Sequence, residues 1–283
     1  MRFEMVDVFA NTPLSGTPVA VVLDADDVDP SLIPAITRWF NLSETTFLLR
    51  PTNQQADYRA RIFTLEREMP FAGHPTLGSC RAWLSCGGKP RKDGEIIQEC
   101  GAGLVEIRGE DSPSHQLAFK APPLIKSGEV AEEKLQEIVR TLRIDRSAIV
   151  AASWADNGPG WIALMLESAE AVLAVKPERT SERRLDVGLV GPHAEGHELA
   201  YELRAFFTDQ HGALLEDPVT GSLNASVAQW LRAQGLVADG YSAGQGQKIG
   251  RDGRIRVVFR GDETWVGGKA VTMFSGTAKE LSA

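Results

Sequence analysis

The chain has 283 residues, 43% hydrophobic and 24% charged, with a formal net charge of −8. That length is enough for a large core and two ordinary domains, and an acidic balance without a basic stripe excludes a phosphate-neutralising nucleic-acid binder. No apolar run approaches the roughly 18 residues that cross a bilayer, residues 1–7 are acidic where a signal peptide would be apolar, and Cys80, Cys86 and Cys100 suit reduced thiols, so a cytoplasmic globular enzyme is expected.

Residues 3–9 alternate as a strand and end at the turn Pro13-Leu14-Ser15-Gly16-Thr17-Pro18. Val19 to Leu23 reads as a buried strand, closed by an acidic run. Residues 30–40 place Leu32, Ile33, Ile36, Trp39 and Phe40 at helical spacing, with Asn41 as the stop. Strands follow at 45–49 and 58–64, then a helix over 75–85, halted by Gly87-Gly88-Lys89-Pro90. Further strands cover 95–100, 103–108 and 116–120, the last leaving His115 at a solvated start. Ala121-Pro122-Pro123 breaks regular structure and reads as a linker. Beyond it come a helix over 129–142, strands at 148–152 and 161–166, and a short helix over 169–175. A strand at 201–208 and a helix over 223–233 follow. Tail strands are joined by Asp252-Gly253 and Gly267-Gly268, both hairpin signals.

One phrase occurs twice: Glu68-Met69-Pro70-Phe71-Ala72-Gly73-His74 and Glu216-Asp217-Pro218-Val219-Thr220-Gly221-Ser222. The copies lie 216 − 68 = 148 residues apart, about half the chain. Each follows a Phe-Thr strand end (Phe63-Thr64, Phe207-Thr208) and opens a predicted helix. A half-chain repeat of strand, glycine turn and helix implies two related lobes. The expected fold class is α+β, with two pseudo-symmetric lobes, each a curved, mostly antiparallel, barrel-like sheet around a central helix. The expected domains are 1–120, joined by a C-terminal strand at about 270–283, and 121–269.

Gly73 and Gly221 allow a ligand to approach backbone closely, and helix N-termini favour an anion such as a substrate carboxylate. Pro75 suits a first helical turn and biases His74 to extended backbone, while Ser222 stands where an N-cap belongs. Capped helices with glycine turns are the commoner case for either loop alone, but the duplication favours a shared ligand in a cleft between the lobes. Glu44 stands where a helix hands over to an apolar strand, a place where a partly desolvated carboxylate suits proton transfer. An exposed strand-start glutamate is the plainer alternative. One of Glu216 and Asp217 can turn inward toward His74 or Ser222, although Asp-Pro by itself also marks a turn. His193 and His197 are four residues apart, but Gly191, Pro192 and Gly196 argue against a helix and so against a metal site. Gly244 to Gly250 lacks the context of a phosphate cradle, no nucleophile elbow occurs, and the cysteines lack metal spacing.

Pro70-Phe71-Ala72-Gly73-His74-Pro75-Thr76 and Glu216 to Ser222 strongly resemble the phenazine-biosynthesis PhzF-like family, as do Asp7-Val8-Phe9 and Ser43-Glu44-Thr45-Thr46-Phe47. The resemblance runs over essentially the whole chain and implies a diaminopimelate epimerase-like fold with the site between its lobes. It implies Glu44 as general acid/base, His74, Asp217 and Ser222 as groups that orient substrate and assist proton movement, and Gly73 and Gly221 as backbone contacts to a carboxylate. Related racemases use two cysteines, and the matching turns here hold none. Gly16-Thr17-Pro18 departs from the Gly-Asn-Pro of many relatives, and a threonine cannot supply an amide's donor and acceptor together.

The expected function is a metal-free, cofactor-independent isomerase that moves a proton within a small carboxylate-bearing substrate. The same likeness implies a homodimer. Two rivals are a serine hydrolase built on Ser222, His74 and Asp217, and a non-catalytic binding protein. The hydrolase predicts labelling of Ser222 by a fluorophosphonate; the binding protein predicts tight ligand binding without solvent exchange.

Overall fold

The computed structural model describes residues 1–109 and 116–278. His115 and the last residues of the expected C-terminal strand lie outside that range. The chain forms two compact units, Met1–Lys120 with the stretch from Gly267 onward, and Ala121–Val266.

In the first unit, β1 (Arg2–Val8) pairs antiparallel with β2 (Thr17–Leu23), and α1 (Ile33–Phe40) leads to β3 (Thr45–Leu49), parallel to β2. Ile33 and Ile36 of α1 pack on Val22, Ala25 and Phe47, while Trp39 is turned out to 88% exposure. Asn41 closes the helix at φ 52°, a left-handed conformation that an asparagine tolerates. Next come β4 (Tyr58–Phe63), the short β5 (Glu68–Met69), α2 (Gly73–Ser85), β6 (Ile96–Cys100), β7 (Gly103–Gly109) and β8 (Gln116–Lys120).

In the second unit, β9 (Lys126–Gly128) precedes α3 (Glu132–Leu142), β10 (Ile149–Asp156), β11 (Ile162–Leu166), α4 (Ala169–Ala174) and β12 (Asp186–Pro192). After these come β13 (Tyr201–Thr208), β14 (Leu214–Asp217), α5 (Gly221–Ala233), β15 (Tyr241–Gln245), β16 (Gly253–Arg260) and β17 (Glu263–Thr277).

The pairing pattern repeats strand for strand. β2 and β3 run parallel, as do β11 and β12; β4 and β6 run parallel, as do β13 and β15. Antiparallel pairs β3–β4, β4–β5 and β6–β7 match β12–β13, β13–β14 and β15–β16. In the first unit β17 pairs with both β8 and β1, which closes an eight-strand barrel. The α+β architecture of two similar units expected from the repeat is the one observed.

α2 packs against β1, β2, β3, β4, β6 and β8, so it is the barrel's core rather than a surface helix. Residues 73–80 are all buried, which explains the weak amphipathic signal of a helix that faces apolar surroundings on every side. Gly78 is required where α2 meets β2, because a β-carbon there would stand 2.3 Å from Val19 Cγ1. α5 buries Leu223, Val227, Trp230 and Leu231 against Ala163, Val190, Leu203 and Ala243. α3 and α4 pack on a separate core that includes Ile162, Leu164, Val187, Leu189 and Phe206.

Three local expectations are corrected. Gly267-Gly268 is no hairpin; β17 runs through it, and Gly267 is there because a β-carbon would meet Leu117 O at 2.5 Å. Asp252-Gly253 is no two-residue turn either, but the end of a longer loop that enters β16. Both central helices also start two residues early, at Gly73 and Gly221, so tertiary packing overrides the extended bias that Pro75 places on His74.

Candidate functional site

The first unit sets Glu44 against His74. β3 carries Glu44 at its entrance, and β3 is tied to α2 by the Ser79 hydroxyl, which donates to Thr46 Oγ1 at 3.0 Å. Both hydroxyls are fully buried, so this bond fixes the strand entrance relative to the helix. His74 is the second residue of α2. Its Nε2 lies 3.2 Å from Glu44 Oε2, with the side chains 5% and 17% exposed. The alignment is poor for a hydrogen bond, and among the described residues Glu44 Oε2 has no hydrogen-bond partner. Catalytic pairs are often misaligned in this way until substrate tightens them.

The N-terminus of α2 has no side-chain cap: Ala72 precedes it in extended conformation at φ −151°. The first turn, Gly73 and His74, lies at the positive end of the helix dipole. Between β1 and β2, Gly16 is required because a β-carbon would lie 2.2 Å from Val8 O, and its N–H donates to Asp7 Oδ1 at 3.0 Å. Thr17 next to it is fully buried at the start of β2, opposite Val8.

The second unit places Asp217 at the end of β14 and Ser222 as the second residue of α5. Gly221 and Ser222 thus occupy in α5 the positions that Gly73 and His74 hold in α2. Ser222 is not the N-cap expected from sequence; Thr220 holds that place, and its side chain points at Asp217 instead of capping. The Ser222 hydroxyl oxygen accepts from Trp161 Nε1 at 3.0 Å, and Asn157 Nδ2 donates to Ser222 O at 2.9 Å. An indole N–H is a donor only and cannot take a proton from a serine nucleophile.

The Glu of each phrase has a structural role. Arg61 grips Glu68 through two bonds of 2.8 Å, and Arg204 grips Glu216 through bonds of 3.0 and 2.7 Å. Each arginine also lies over the phenylalanine two residues on, Phe63 or Phe206, at 4.9 and 4.8 Å. Of the pair Glu216 and Asp217, then, the glutamate is committed to Arg204. The equivalence also corrects the repeat's register. Phe63 opposes Glu68, and Phe206 opposes Glu216. The strands repeat at 206 − 63 = 143 residues and the phrases at 148, so the β13–β14 hairpin is five residues longer. Phe206, not Phe207, is the counterpart of Phe63.

The other candidates fall away from these turns. Cys80 is buried in α2, where burial pushes its thiol up to about 12, and Cys100 is raised for the same reason. The His193 and His197 rings stack in parallel planes 4.1 Å apart. Two parallel imidazoles cannot both direct an in-plane lone pair at one ion, and among the described residues no three His, Cys, Asp or Glu side chains are grouped to hold a metal.

Residues 6–276 match the family of phenazine biosynthesis-like proteins, PhzC–PhzF. The chain belongs to that family. It is 36% identical to antisense-enhancing sequence 1 of Schizosaccharomyces pombe, with 97% of each chain covered. It is 31% identical to trans-2,3-dihydro-3-hydroxyanthranilate isomerase of Pseudomonas fluorescens, with 98% of each covered. A predicted epimerase from Pseudomonas aeruginosa superimposes with a TM-score of 0.80 at 25% identity, covering 100% of this chain and 99% of that one. The protein is an isomerase of this family.

Several residues around the two turns escape a sequence reading. Thr220, Gln245 and Trp161 hold Asp217 and Ser222, but they come from a loop, β15 and the residue before β11, far apart in the chain. The one available signal was the Gly-rich Gly244-Gln245-Gly246 segment, which looked like a failed nucleotide loop. Its glycines instead let β15 pass tightly: a β-carbon on Gly246 would meet Pro218 O at 2.6 Å.

Proposed function

We propose that this isomerase shifts a proton within a small carboxylate-bearing substrate, with Glu44 as the proton carrier. The observation that supports this most is the withdrawn Glu44–His74 pair at the uncapped start of a buried helix. Glu44, as carboxylate, takes a proton from an activated carbon; the electron pair left behind delocalises into the substrate, and the proton is returned at another atom of the same molecule. The substrate carboxylate rests on the first-turn amides that open with Gly73 and Gly221. His74, Asp217 and Ser222 supply fixed polar groups where charge develops. On the same reading the enzyme works without metal or cofactor, in the cytoplasm and as a homodimer, which size-exclusion chromatography with light scattering would check.

Likeness to the trans-2,3-dihydro-3-hydroxyanthranilate isomerase of Pseudomonas fluorescens makes that compound the first to try. A metabolite screen in D₂O, scored by mass, reports proton transfer without the product being known. Glu44→Gln is expected to lower deuterium uptake at least about 100-fold while carboxylate binding persists. Undiminished uptake in that variant would remove Glu44 from the mechanism.

A further inference from the structure

We propose that Gln245 is a positioning residue for this reaction, which orders the Thr220 hydroxyl so that it always donates to the Asp217 carboxylate. The inference rests on the reading of Asp217 as a working group of the site. Gln245 is 1% exposed at the end of β15, and every hydrogen-bonding position of its amide is used. Oε1 accepts from Thr220 N at 3.1 Å and from Asn224 Nδ2 at 2.9 Å. Nε2 donates to Thr220 Oγ1 at 2.9 Å and to Asp217 O at 3.2 Å.

The direction of these bonds is set by backbone groups that cannot reverse. Thr220 N–H only donates, so the amide oxygen must face it and the amide nitrogen must face the Thr220 hydroxyl. Asn224 Nδ2 also donates to Thr220 O at 2.9 Å, a carbonyl that only accepts, so the orientation of Asn224 is settled too. A hydroxyl has one proton. Since Thr220 Oγ1 receives the Gln245 amide proton, its own proton goes to Asp217 Oδ2, its close partner. Asp217 Oδ2 is thus held as an acceptor, through a chain that starts at a glutamine 28 residues away in sequence.

The test reads the carboxyl group itself and needs no substrate. Protein carrying [¹³Cγ]aspartate is titrated by NMR, and the Asp217 signal is assigned by its loss in Asp217→Asn. Removing a hydrogen bond to the charged form favours the protonated one, so Thr220→Val and Gln245→Met are expected to move the titration midpoint upward by on the order of one pH unit. Thr220→Ser, which keeps the hydroxyl, should titrate with the parent. A purely structural role would lower the melting temperature and leave the midpoint alone. The proposal is overturned if folded Gln245→Met titrates with the parent, and that variant decides the matter should Thr220→Val fail to fold. Failure of the reading of Asp217 as a working group shows separately, as undiminished deuterium uptake by Asp217→Asn.

Discussion

Glu68 and Glu216 hold the same place in the repeated phrase and make the same forked ion pair, but the two pairs differ in exposure. Arg61 and Glu68 are 28% and 44% exposed, whereas Arg204 and Glu216 are 5% and 9%. Arg204 also donates to Val172 O and Val175 O, at 3.2 and 2.6 Å, which ties β13 to the end of α4. An exposed pair is screened and contributes less than about 1 kcal/mol. Removing one member of a buried pair leaves an uncompensated charge and costs about 3–5 kcal/mol. Urea denaturation should therefore show Glu216→Gln to be far more damaging than Glu68→Gln; equal losses would mean that burial does not govern the pair. The repeated glutamate was legible in the sequence as a motif. Its role was not, because Arg61 and Arg204 stand at different sequence distances, seven and twelve residues, from their partners.

At the scale of elements, α2 shows what a helix inside a barrel demands. Gly78 faces Val19, and a methyl group there has to displace a β-branched side chain with little rotamer freedom. Gly78→Ala is expected to cost about 1–3 kcal/mol through overpacking, although alanine is the better helix former. A gain in melting temperature would show that α2 and β2 can separate freely. The same crowding explains why β12 was not predicted. Glycines are depleted in strands, yet a β-carbon at Gly188 would stand 2.3 Å from Leu223 Cδ1 and one at Gly191 would stand 2.2 Å from Ser168 O. These glycines mark close packing of a strand against helices, not a turn. Helix ends with their own chemistry were easier to read: Asn41 stops α1 as expected.

For the whole molecule, global stability should carry the imprint of Glu202 on β13. This residue is 4% exposed, and burial pushes its carboxyl up to about 7, with Arg254 pulling the other way. Its Oε2 lies 3.3 Å from His193 Nε2, whose own affinity for a proton is lowered by burial and by His197. The unfolded chain releases the Glu202 proton near 4.5 and the folded chain near 7. Below the lower value the group costs nothing; as pH rises through that window the unfolded state binds fewer protons and stability falls, by about 1–3 kcal/mol. Glu202→Gln should therefore melt higher than the parent at pH 8, with a much smaller difference at pH 5. A constant difference across that range would remove Glu202 as the cause.

The sequence alone determined the duplicated architecture, because a strand, glycine turn and helix written twice calls for two similar units, each burying its own helix. It also determined the family and the candidate residues, since Gly73-His74, Gly221-Ser222, Asp217 and Glu44 all sit in recognisable local phrases. Tertiary structure alone decided which side chains meet. Hydrogen bonds such as Ser79 to Thr46, Trp161 to Ser222 and Gln245 to Thr220 join residues 25 or more positions apart. Local periodicity records burial and turn chemistry, but a pairing across strands depends on register, and register is settled only when the barrel closes.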